Sequence, residues 1–140
     1  MVQRSLTSII QQIEQDFTDV RDEFLVNIAE DLIGSSKYFV DTGAYITSHS
    51  ITTTRGAGRS RSSHNKPQGQ SPEAKGAESL DQLMGDIAAL PFDQEQVYIS
   101  NNAPHASAVE YKHGHSVYES VRSRATNHLL EAVEKVRGSL

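Results

Sequence analysis

Leu6, Ile9, Ile10, Ile13, Phe17, Val20, Phe24, Ile28 and Leu32 recur every three or four positions, the spacing that gathers side chains on one face of an α-helix. A helix over residues 5–33 follows, with Ser5 placed to cap its start and Gly34 to end it. About 28 residues at roughly 1.5 Å each make a rod on the order of 40 Å. That is longer than a small domain needs, so part of the helix is expected to project. Gln11, Gln12, Glu14, Gln15, Asp16, Asp19, Asp22, Glu23, Glu30 and Asp31 occupy its other face. By default this is a solvated face; the functional alternative is a docking surface for a basic partner.

From Lys37 the pattern changes. Tyr38-Phe39-Val40, a turn at Asp41-Thr42-Gly43, and the Thr-, Ile- and Tyr-containing run Ala44 to Thr54 predict a strand region over 37–54. Residues 55–76 offer almost no apolar surface to offset the entropy of ordering, which predicts a flexible basic loop. Removing 57–70 is accordingly expected to leave the fold intact. Leu80, Leu83, Met84, Ile87 and Leu90 restore helical spacing over 77–90, closed by Pro91. Val97-Tyr98-Ile99 reads as a strand within a strand-and-turn region, 96–111, and Val117, Val121, Ala125, Leu129, Ala132, Val133 and Val136 predict a helix over 116–137. The whole chain, 1–140, reads as a single α+β domain. Its long N-terminal helix and its C-terminal helix pack on a small, mostly antiparallel β-sheet, and the basic loop is mobile.

Composition adds that the monomer has little interior to spare, with 36% hydrophobic and 6% aromatic residues in 140. A chain of this kind commonly completes its core by association. The net charge of −5 conceals a segregation. Lys plus Arg against Asp plus Glu run 3 to 8 over residues 1–54, 5 to 1 over 55–76, and 5 to 9 over 77–140. The absence of cysteine excludes a disulfide framework or a cysteine-ligated zinc site and suits a reducing compartment. No apolar run reaches the length of a membrane span, and Met1 to Ser5 lack a signal-peptide core. The expectation is a soluble protein made in a cytoplasm.

The segment from Ser100 to Gly114 concentrates geometric constraints. Asn101-Asn102 tolerate turn conformations, Pro104 ends any ladder, and Glu110 sits between Val109 and Tyr111, where a half-buried carboxylate needs a partner. Tyr98-Ile99-Ser100-Asn101-Asn102-Ala103-Pro104-His105-Ala106, leading into Val109-Glu110-Tyr111 and Gly114, resembles a signature of the tail-completion proteins of tailed phages, also called neck or minor tail proteins. Val40 to Ser48 is similar to that family's Asp-Thr-Gly approach to its first strand. The resemblance spans roughly residues 5–137. The family commonly has an aromatic residue where His105 stands, and a glycine directly after the Val-Glu-aromatic triplet, where Lys112 and His113 intervene here.

The resemblance implies a non-enzymatic virion protein of the phage neck, a head-tail connector component assembled in the host cytoplasm. Its copies would form a ring between the capsid connector and the tail. Its partners would be other neck proteins, namely head-closure or adaptor proteins and tail-terminator or tail-tube proteins, with non-specific contact to DNA in the channel. Asp41, Thr42, Gly43, Asn102, Pro104, Glu110 and Tyr111 would set its turns and interfaces. Arg55, Arg59, Arg61 and Lys66 are candidates for contact with DNA or a neighbouring protein, because Arg and Lys meet phosphates without regard to sequence. The alternative from the residues alone is a nucleic-acid-binding accessory protein acting through 55–76.

Other chemistry is weaker. Asp41-Thr42-Gly43 matches the aspartic-protease triplet, but there is only one copy and no companion feature. His105, His113 and His115 around Glu110 suggest a metal site, yet their spacing fits no established zinc motif. The sequence has no nucleophile elbow and no phosphate-binding glycine loop, and Gly56-Ala57-Gly58-Arg59 stops short of a dinucleotide fingerprint. No enzyme, cofactor or metal is expected.

Overall fold

The computed structural model describes residues 5–36, 45–59, 72–103, 106 and 117–138. The order of elements is α1 (Leu6–Ser36), β1 (His49–Thr52), α2 (Pro72–Ala88), β2 (Tyr98–Asn101), α3 (Val117–Ser123) and α4 (Ala125–Gly138). β1 and β2 pair antiparallel, with His49 opposite Asn101, Ser50 opposite Ser100, Ile51 opposite Ile99 and Thr52 opposite Tyr98. The fold is α+β, and its long helix is the N-terminal one.

α1 sits at the centre because two adjacent rows of its surface are apolar. Leu25, Ala29 and Ile33, four residues apart, bury against Ile46, Ile51, Leu83 and Ile87 from the sheet side and α2. The neighbouring row, Ile28 and Leu32 with Phe24, meets Tyr45, Val117 and Val121. α2 therefore covers the sheet. α4 lies antiparallel along α1, with Arg124 and His128 at Asp31 and Lys135 at Glu23.

Ser5 caps α1 as its position predicts, its Oγ accepting from the Ser8 N–H at 3.1 Å. Gly34 does not end the helix, which runs on to Ser36. Ile33 and Ser36 are buried, and that packing outweighs a glycine's weak preference to stop. Of the strand region predicted over 37–54, residues 37–44 lie outside the described chain; in the rest, four residues form the strand, preceded by a turn closed by the Ser48 N–H on the Tyr45 carbonyl at 3.1 Å. The basic loop is shorter than 55–76, because α2 already begins at Pro72, a residue suited to a first turn whose N–H groups lack helical partners. The C-terminal helix is interrupted at Arg124. The Ser123 hydroxyl donates to the Ser120 carbonyl at 2.6 Å, and the Arg124 N–H bonds Val121 instead. A serine that occupies a helical acceptor in this way breaks the ladder.

The loop after α2 is pinned to α1 by groups that periodicity does not flag. Buried Arg21 donates to the carbonyls of Pro91 at 2.8 Å and Gln94 at 3.2 Å, and it pairs with Asp22. The Thr18 hydroxyl accepts from the Asp93 N–H at 3.1 Å, holding Asp93 at a positive φ of 55°.

Candidate functional site

The sheet carries two polar assemblies. The first is centred on His49, which is fully buried. The Ser36 hydroxyl donates its one proton to the Leu32 carbonyl at 2.6 Å, so it must accept from His49 Nε2, 2.8 Å away. That fixes the neutral ring with its proton on Nε2 and leaves Nδ1 as the acceptor. Nδ1 faces the Tyr118 hydroxyl at 2.9 Å and the Asn101 amide nitrogen at 3.3 Å. The Asn101 amide is oriented by its own bonds, Oδ1 accepting from the Ala103 N–H at 3.0 Å and Nδ2 donating to the Tyr45 carbonyl at 2.7 Å. One imidazole thus joins the end of α1, both strands and α3. Burial, and secondarily the nearby Arg59 cation, push its pKa down to about 3.

The second assembly is built on Arg59. Its guanidinium reaches Asp86 of α2 at 2.6 Å and donates to the His49 carbonyl, and its backbone N–H donates to Ser50 Oγ at 2.8 Å. The other carboxylate oxygen of Asp86 accepts from the Ile51 N–H at 3.0 Å. Asn102 donates to the carbonyls of Gly58 at 2.9 Å and Gly56 at 3.3 Å. The chain after β1 therefore folds back onto the sheet as far as Arg59. A Cβ on Gly58 would lie 2.8 Å from Ser100 Oγ and 2.9 Å from Ser50 Cβ. Gly58→Ala is expected to cost about 2 kcal/mol, since the sheet must open to admit a methyl. Urea denaturation at neutral pH checks this, and an unchanged midpoint would contradict it.

These contacts bear on two expectations. Arg59, expected at the surface of a flexible loop, is instead tied into the fold: Asp86 lies within reach on the inner side of α2 and pairs with a guanidinium that is about a fifth exposed. Deleting 57–70 would also remove Arg59, so the fold is not expected to tolerate it. Arg55 is exposed at the turn. Asn102 acts from the sheet edge on the returning chain. Asp41, Thr42, Gly43, Pro104, Glu110, Tyr111, Arg61 and Lys66, like His105, His113 and His115, lie outside the described residues.

The polar face of α1 is largely spent within the chain. Asp31 receives Arg124 at 2.7 Å and His128 at 2.7 Å, and Glu23 receives Lys135 at 3.1 Å. Burial raises the Asp31 pKa, but hydrogen bonds from Arg124, His128 and Ser35 outweigh it and hold the carboxyl below its ordinary value. The open groove beside this cluster is lined by Asn27, Glu30, Gly34 and Glu131. Among the described residues no three His, Cys, Asp or Glu side chains are placed to hold a metal ion, and no helix is long and apolar enough to cross a membrane.

Sequence reasoning did not single out His49 or Asp86. Asp86 was accessible in principle, because on a helical wheel it falls beside Ser79 and Leu83 on the buried side of α2. His49, between two serines, carried no such signal. Comparison with family models, curated proteins and solved structures finds no match for this chain.

Proposed function

We propose that this chain is a structural component of a tailed-phage neck, a tail-completion protein whose copies form a ring between the capsid connector and the tail. Its work is assembly and not catalysis, and it resides in the virion after assembly in the host cytoplasm. The observation that carries this reading is the meeting of the two stretches that resemble the family. They lie some fifty positions apart, yet Asn101 of the second donates to the Tyr45 carbonyl of the first at 2.7 Å, beside the point where the β1–β2 ladder begins at His49 opposite Asn101. Similarity in two short segments gains weight when they form one local unit.

Buried His49 and the partly buried Arg59 and Asp86 support the same reading, since all three are engaged in joining elements. The test is electron microscopy of particles made by the parent phage with this gene deleted. Full heads beside separate, finished tails are expected. Normal joined particles would overturn the assignment.

A further inference from the structure

The first three turns of α1 carry an apolar face that nothing in the described chain covers. Leu6 is 72% exposed, Ile13 62%, Ile10 46%, Phe17 41% and Ile9 40%. Farther along, the same face holds Phe24 and Ile28, and there α3 and the start of α4 cover it. Leu6, Ile10, Ile13 and Phe17 are spaced four, three and four apart, the interval of a two-helix seam. The opposite face of this arm is closed on itself, Gln12 donating to Asp16 and Gln15 to Asp19, both at 2.8 Å.

We infer that this arm pairs with the same arm of a second copy, antiparallel, Leu6 of each packing on Phe17 of the other and Ile10 on Ile13. The area is sufficient. The five side chains expose on the order of 450 Å² of apolar surface per copy. In an interface that is roughly 60% apolar this corresponds to about 750 Å² per partner, close to the usual size of a stable contact.

Direction follows from the body of the molecule. A parallel partner aligned over residues 6–17 would continue along the seam into the volume that α3 and α4 fill. An antiparallel partner places its own body at the far end. In that arrangement Glu14 flanks Thr7 of the other copy and Asp16 flanks Ile9, so acids do not face acids in an arm whose described part, residues 5–17, contains no Lys or Arg. Each arm's acids also approach the N-terminal end of the other helix, where the helix dipole favours negative charge. The pairing requires no phage partner, so it stands or falls separately from the neck assignment.

The test uses the full chain. Sedimentation equilibrium should show a dimer, and Ile10→Asp with Ile13→Asp should weaken it by at least ~100-fold. At concentrations where both proteins are monomeric, the variant should melt as the wild type does, because both side chains are substantially exposed. The chain has no cysteine, so geometry can be read directly by mixing Leu6→Cys with Phe17→Cys protein under mild oxidation. The mixed disulfide is expected to dominate over either homodisulfide. This readout does not depend on the folding of the aspartate variant. A monomer up to ~100 μM, for which two buried helical faces should suffice, would overturn the inference. So would association untouched by the aspartates, or cross-linking of Leu6→Cys chains chiefly to one another.

Discussion

Lowering the pH from 7 to 4 should cost this protein about 3 kcal/mol of folding stability through His49 alone. In the fold the ring is neutral, with a pKa pushed down to about 3; in the unfolded chain it returns to the ordinary 6.5. Below 6.5 the unfolded state therefore binds a proton that the native state refuses. The stabilisation is complete above that value, falls by roughly 1.4 kcal/mol per pH unit as pH drops, and stops falling only near the native pKa. Geometry gives the refusal its physical cause. Nδ1, the nitrogen that would take the proton, faces the Tyr118 hydroxyl and the Asn101 amide, which serve as its donors.

The measurement is urea denaturation of the wild type and His49→Gln at several pH values between 4 and 7, comparing slopes against pH and not absolute stabilities. The variant should lose one proton's worth of slope across this window. Equal slopes would show that His49 does not resist protonation. Asp31 contributes in a lower window. Its carboxyl is depressed in the fold, so its stabilisation is present above the ordinary 3.8 and is lost as pH falls from there toward the native value.

Asp86→Ala is the second large effect, expected to destabilise by about 3 kcal/mol, because one carboxylate satisfies two otherwise stranded groups. Arg59 would lose its ion pair while most of it stays out of water, and the Ile51 N–H would lose the carboxylate oxygen that accepts its hydrogen bond. Asp86→Asn, which keeps an oxygen for Ile51, should recover part of the loss. The double variant Arg59→Ala, Asp86→Ala should cost clearly less than the sum of the two single changes, since removing both charges leaves neither stranded. Strict additivity in that thermodynamic cycle would mean that Arg59 and Asp86 do not depend on each other. Trypsin gives a second readout. Cleavage after Arg55 or Arg59 should accelerate in Asp86→Ala, because the return of the chain onto β1 is held by this pair and by Asn102.

Where several residues repeat one message, the elements could be read from the chain itself. The nine apolar positions from Leu6 to Leu32 set both the existence and the facing of α1, and its excess length already implied projection. The α+β class followed from two helical patterns flanking β-branched segments. Boundaries were less legible, because they turn on single contacts: a serine hydroxyl taking a helical acceptor at Ser120, or buried Ile33 and Ser36 carrying α1 through Gly34. The polar face of α1 reads as uniformly solvated, whereas Asp31 and Glu23 meet cations from α4 about a hundred residues away.

By itself, then, the amino-acid order determined periodicity: which stretches are helical, which are extended, and which face of each is apolar. Periodicity is a property of neighbours, so local sequence suffices. Tertiary structure alone decided the polar assignments. Whether Arg59 meets a phosphate or Asp86, and whether His49 is exposed or sealed among Ser36, Tyr118 and Asn101, depends on groups that only folding brings together. The same holds for the apolar face of α1: its pattern is continuous from Leu6 to Leu32, but only packing divides it into a half covered by α3 and α4 and a half that no described residue covers.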